Sequence, residues 1–263
     1  MDQPRSELRP PSRAPWIVLA VAVLAGGAAA IWWFRSRTPT PPPAPAATPA
    51  PAPSAGAPSG PVPTVEPGVV RSLLESVSPN ALFRRGLAED DLVRRWVILT
   101  DNLAEGVSPR QQLGFLAPSR SFSVAARGGS NVIALSSYHR YDDFAAAVTS
   151  VDVQAVAKVY RELHPVLEGA YRALGYPNAS LDGVTARALR RIEGAPVKDE
   201  ELVVQAKGGI YVFADPRLEG LGQVEKHLLR MGPRNTRLLQ AKAREISQAL
   251  RLPAEANAGT PRR

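Results

Sequence analysis

"DPRLEGLGQVEKHLLRMGPRNTRLLQAKAREISQAL", Asp215 to Leu250, reads as two amphipathic helices meeting at a corner. Asp215 suits an N-cap and Pro216 the first helical position, which predicts a helix from Pro216 to Met231. Leu218, Leu221, Val224 and Leu228 line its apolar stripe. Gly232 predicts a left-handed cap after Met231, and Pro233 stops the helix there. A last helix follows from about Asn235 to Leu252, burying Leu239, Ala243, Ile246 and Leu250. Arg237, Arg244 and Arg251 recur every seven residues, so they share a band roughly opposite that face. The Gly-Pro step is therefore punctuation between helices, with a basic surface beside it, and His227 needs no special role.

Working outward, "GLAEDDLVRRWVILTDNLAEG" (Gly86–Gly106) predicts a helix with Leu92, Trp96, Leu99 and Leu103 on one face. Glu89, Asp90 and Asp91 are expected in its first turn, with Asp90–Arg94 and Asp91–Arg95 as i,i+4 pairs. A helix from about Val153 to Leu174 contains Pro165, which predicts a kink or a break. Another helix is expected from Leu181 to Ile192. "SFSVAARGGSNVIAL" and "ELVVQAKGGIYVF" each set Gly-Gly between short apolar runs, predicting two β-hairpins, with Tyr211 and Phe213 on one strand face. No internal repeat is evident. The fold class is mainly α, a helical domain with a small antiparallel β element.

The start of the chain differs in kind. Residues 1–15 form a short basic tail, and Trp16–Phe34 is an uncharged apolar run about 28 Å long as a helix, which predicts one transmembrane span. A cleaved signal peptide is the other reading, because Ala28–Ala30 has the small-residue form of a cleavage site. Arginines before the span vote for the N-terminus inside, which puts the folded domain on the periplasmic or extracytoplasmic side of a bacterial inner membrane. Residues 35–67 read as a disordered Pro/Ala-rich linker, with 12 prolines between Thr38 and Pro67. Residues 68–253 are the globular domain and 254–263 a disordered tail.

Composition excludes much chemistry. The chain has no cysteine, so thiolate nucleophiles, thiolate metal sites and disulfides are absent. Its net charge of +8 concentrates between Lys226 and Arg251, where seven basic residues face one acid. Such a field favours anionic partners. His139, His164 and His227 lack metal-ligand spacing, and no GxSxG, SxxK, phosphate-loop or GxGxxG pattern occurs. His164 and Glu168 can share a helix face, but Pro165 disturbs the geometry between them, and Asp142 and Asp143 diverge around a helix. No catalytic, cofactor or metal residue is predicted. Arg237, Arg244 and Arg251 are the candidate surface for an anionic envelope component or protein; no RNA- or DNA-binding motif supports nucleic acid.

"DDLVRRWVILTDNLAEG", "VYRELHPVLEGAYRALGYPN" and "YVFADPRLEGLGQVEKHLLRMGPRN" resemble successive blocks of the bacterial domain-of-unknown-function 3014 family. The resemblance covers about Val69 to Ile246 and departs from the family's pattern in the loop after Gly106. It implies a membrane-anchored bacterial protein, and it brings no catalytic residue with it. The expectation is a single-pass, membrane-anchored envelope protein whose domain binds or scaffolds without catalysis. An enzyme with an unrecognised site and a cytoplasm-facing scaffold are the alternatives.

Overall fold

The computed structural model describes residues 65–252; the expected span, most of the linker and the tail lie outside them. Among the described residues, no helix is long and apolar enough to cross a membrane. Nine α-helices, four strands and two short 3-10 helices (Pro109–Gln111 and Gly114–Leu116) are described there: α1 (Pro67–Glu75), α2 (Ala81–Leu87), α3 (Leu92–Glu105), β1 (Val124–Arg127), β2 (Ser130–Ile133), α4 (Leu135–His139), α5 (Asp142–Thr149), α6 (Val153–Ala173), α7 (Leu181–Glu193), β3 (Val203–Lys207), β4 (Ile210–Phe213), α8 (Pro216–Glu219) and α9 (Gln223–Leu250). The domain is mainly helical, as expected.

Both hairpins form, and they join into one antiparallel sheet in the order β1-β2-β3-β4, with Asn131 paired to Val204 and Val132 to Val203. Each Gly-Gly takes positive φ at both positions (52° and 81° at Gly128 and Gly129, 57° and 82° at Gly208 and Gly209). That matches the twist of the flanking strands, and residues with a Cβ adopt it at a cost.

α3 and α7 pack against each other, α6 against α3, and α9 against α7, α6, α5 and α4. One core gathers Val97, Leu163, Leu167, Tyr171, Leu181 and Val184. A second holds Tyr141, Ala145, Val224, Leu228 and Met231, and a third lies under the sheet around Ile133, Val204, Phe213 and Leu229. α9 contributes to all three: Leu228 and Leu229, adjacent in sequence, enter different cores, and Leu250 packs on the first.

Four local expectations change. α3 begins at Leu92, so the three acids precede it: Asp91 is the N-cap, accepting the Arg94 N–H at 3.3 Å, and Arg95 pairs with Glu89 at 2.6 Å. Its fully buried positions are Val97, Thr100 and Ala104, with Leu92, Trp96 and Leu103 half-buried, because α3 is flanked by both α6 and α7. α6 continues through Pro165 as one 21-residue helix. Leu163, Val166, Leu167 and Tyr171, on both sides of the proline, are all buried, and that packing offsets the lost hydrogen bond. The expected Pro216–Met231 helix breaks after Glu219, where Gly220 and Gly222 bracket one residue; the Gly106 carbonyl then accepts from Gln223 and Val224 to start α9.

The fourth change is a repeat that the sequence reading did not find. Val124, Ala126, Gly128, Gly129, Val132 and Ala134 match Val204, Ala206, Gly208, Gly209, Val212 and Ala214, each pair 80 residues apart. The hairpin registers agree, Val124 opposite Ile133 and Val204 opposite Phe213. A short helix and a longer one follow each hairpin, and then a long helix that starts at Val153 in the first copy and at Pro233, beyond the break at Gly232, in the second. α3 precedes the first copy as α7 precedes the second.

Candidate functional site

At the corner of α9, Gly232 has φ 82° and ψ 163°, a positive-φ conformation close to glycine-only, rather than the left-handed helical cap expected. A Cβ there would lie 2.6 Å from the Tyr138 ring, which is a second reason for glycine. Thr236, 1% exposed, donates its hydroxyl toward the Leu228 carbonyl at 2.7 Å and toward that of Gly232 at 2.9 Å, linking the two sides of the break. Asn235, 2% exposed, donates through its amide toward the Tyr138 carbonyl (3.2 Å), the Asp142 carboxylate (2.9 Å) and the Met231 carbonyl (3.2 Å). Gly-Pro-Arg-Asn-Thr is thus a clamp tying α9 to the α4–α5 junction.

Asp142 opens α5 and is held by Asn235, by His139 at 3.0 Å and by Arg234 at 3.4 Å. The Asn235 hydrogen bond, then the contacts of His139 and Arg234, keep its carboxyl below the usual range. Asp143 is exposed beside it, so the two acids do not converge.

Beside the clamp, arginines and aromatic rings interleave. The Arg140 guanidinium sits 5.6 Å from the Phe122 ring centre and 4.9 Å from that of Tyr141, donating to the Arg120 carbonyl (3.2 Å) and the Tyr141 hydroxyl (3.0 Å). Arg230 lies 4.6 Å over Phe213 and donates to the Tyr211 carbonyl at 3.2 Å. Phe122 contacts Tyr211 at 5.7 Å, and His227 meets Tyr141 edge-on at 5.6 Å. These are cation–π and edge contacts that fix each group in place. Burial, then the charges of Arg110, Arg230 and Arg140, lowers the His227 pKa to about 4, so its ring is neutral at pH 7. Burial likewise lowers that of Arg230.

The arginine band predicted from sequence is exposed at all three positions, but not uniform. Arg237 forms a two-pronged pair with Asp199, at 3.0 and 2.5 Å. Arg244 projects from α9, whereas Arg251 is the C-cap with φ 55°, off the helical face. The basic run is also less free than its charge suggests: Lys226 pairs with Glu219, Arg234 with Asp142 and Lys242 with Glu245.

His164 and Glu168 do not come together. His164 reaches Asp182 at 3.1 Å, where the Tyr160 hydroxyl also donates at 2.7 Å, while Glu168 accepts the Leu181 N–H at 2.8 Å and pairs with Arg172 at 2.9 Å. Burial raises the Tyr160 pKa well above its ordinary value, so it stays a donor. The trio staples α6 to the first turn of α7. An open cleft of about 590 Å³ lined by Arg71, Glu75, Arg84, Leu87 and Ala88 lies elsewhere, between α1 and α2. Among the described residues, no cluster of three or more His, Asp and Glu is placed to hold a metal.

Residues 92–247 match the family described as "Protein of unknown function (DUF3014)". The chain belongs to that family. The DUF3014 match begins at the first residue of α3 and ends in α9, so it takes in both copies of the repeat and leaves out α1 and α2. No curated protein and no solved structure matches the chain. The sequence reading passed over Arg140, Arg230 and His227. The signal was there: "YHRYDDF" and "KHLLRM" both combine basic and apolar or aromatic residues, in two stretches the fold brings together.

Proposed function

We propose that this DUF3014 chain is a single-pass membrane protein whose folded domain is a non-catalytic binding or scaffolding module. In this reading residues 16–34 span a bacterial inner membrane, the proline-rich segment holds the domain away from it on the outer side, and the partner is anionic. One observation supports the non-catalytic part above others. Five acids on separate elements are engaged in holding those elements together: Asp142 by Asn235, Asp182 by Tyr160 and His164, Glu168 by the Leu181 N–H, Glu219 by Lys226 and the Phe213 N–H, and Glu225, through one of its two oxygens, by Arg191. A general acid or base must instead face a substrate with its proton free to move. The anionic partner is supported by Arg244 and Arg251, which stand exposed on the last helix and its cap.

The test is topology. A C-terminal reporter active only outside the cytoplasm is expected to give signal, and one that fluoresces only inside is expected to stay dark. The reverse pattern would overturn the orientation and make a cytoplasmic scaffold the better reading.

A further inference from the structure

We propose that Arg140, Arg230 and Arg110, gathered beside His227 next to edge strand β4, form a binding site for a doubly charged phosphate group, either free phosphate or a phosphomonoester. The proposal rests on the binding-module reading above and adds a phosphate site apart from the exposed band at Arg237, Arg244 and Arg251.

The donors are preorganised and underused. Each guanidinium has five N–H groups. Arg140 uses its two terminal nitrogens on the Arg120 carbonyl and the Tyr141 hydroxyl; its Nε is shielded from solvent and has no protein hydrogen-bond partner. Arg230 uses its two terminal nitrogens on the carbonyls of Lys226 and Tyr211. Flat rings hold both groups in place, so little side-chain freedom is left to lose on binding. A guanidinium so fixed, with donors to spare, is suited to oxyanion recognition.

Glu219 is the acid whose charge acts on Arg230, and it does so without pairing with it. Neither Arg140 nor Arg230 forms a salt bridge among the described residues, and Arg110 is exposed on the loop after α3. The acids around them are committed: Glu219 to Lys226 and the Phe213 N–H, Glu225 to Arg191, Asp142 to Asn235, His139 and Arg234. Arg140 and His227 both contact the Tyr141 ring, Arg230 lies three residues after His227 on α9, and the charge of Arg110 also reaches His227. Three positive charges match a dianion better than a carboxylate or a phosphodiester, each of which carries one negative charge. The aromatic rings lower the local dielectric and strengthen the attraction. The exposed band at Arg237, Arg244 and Arg251 lacks these features: Arg237 already has its carboxylate, and among the described residues no aromatic ring lies under the other two.

Inorganic phosphate would be titrated into the purified full-length chain at a pH above its second ionisation, with calorimetry and the His227 ring NMR signals as readouts. The expected result is saturable binding at millimolar phosphate or below, with a shift of the His227 signals. Affinity should fall tenfold or more in Arg140→Gln and in Arg230→Gln and stay unchanged in Lys158→Gln, an exposed cation on α6. Arg110→Gln, on an exposed side chain, should weaken binding several-fold and serves where the inner variants unfold. No saturable response to phosphate would overturn the proposal, and so would an equal loss in Lys158→Gln. Phosphatidylglycerol vesicles, which present a singly charged phosphodiester, form the second arm. Binding to vesicles without a response to free phosphate would overturn the dianion site yet leave the binding-module reading intact; that reading fails separately, on the topology reporters.

Discussion

The two copies of the repeat use one plan for different ends. Their hairpins are near-identical in turn geometry and register, and the helices after them keep apolar positions 80 apart: Phe144 and Val224, Val148 and Leu228, Val159 and Leu239, Leu163 and Ala243. They diverge where the second helix passes to the third. In the first copy the chain leaves α5 through Ser150 and Val151, and Asp152 caps α6 by accepting the Ala155 N–H at 2.8 Å. In the second, Gly232 makes the corner within what is otherwise continuous helix, and Asn235 and Thr236 secure it from inside. Position 147 of the first copy is a buried alanine; its counterpart is His227 among arginines. Fold is conveyed by the shared apolar and glycine positions, while the unmatched polar ones distinguish the second copy.

Gly232→Val should break the comparison most severely. A β-branched residue there meets both the Tyr138 ring and a backbone region close to glycine-only, so a loss of about 4 kcal/mol is expected from urea unfolding. If stability is unchanged, the corner is more pliable than its contacts imply.

His227→Ala makes the second copy like the first. His227 has a pKa near 6.5 when unfolded and about 4 when folded. Above pH 6.5 the ring is neutral in both states. As pH falls from 6.5 to about 4 the unfolded chain takes up the proton first, so stability drops, by on the order of 2–3 kcal/mol in all. The difference between wild-type and variant unfolding curves over that window should show this slope. A flat difference would mean that the ring is more hydrated than its surroundings suggest.

The smallest effect should be shared. Gly129→Ala and Gly209→Ala, at φ 81° and 82°, should each cost about 1 kcal/mol and cost the same within error. Unequal losses would show that the hairpins, alike in geometry, differ in how firmly the sheet depends on them.

What could be read from sequence was local chemistry. The Gly-Gly turns, the helix starts at Asp215-Pro216 and Ser180-Leu181, and the corner at Gly232 are each decided by residues within a few positions. The clamp was not legible, because Asn235 finds Tyr138 and Asp142 over 90 residues away. Nor was the pairing of His164 with Asp182 across two helices, which displaced the nearer Glu168. The arginine–aromatic cluster draws Phe122, Arg140, Tyr211 and Arg230 from a loop, a helix end, a strand and another helix. The repeat escaped notice for a different reason. Identity is confined to the hairpins, and beyond them burial continues without it, as the equivalent buried positions Tyr160 and Gln240 illustrate.

The pairing of β2 with β3 has a consequence for synthesis. Translation delivers the first hairpin some 70 residues before its neighbour, so a growing chain that has passed Ile133 but not Val203 carries β2 with its outer backbone groups unpaired. An open strand edge recruits other strands, including those of identical nascent chains. Completion of the second copy covers it. The interval between the two hairpins, rather than the stability of either, sets how long each new molecule is exposed to that hazard.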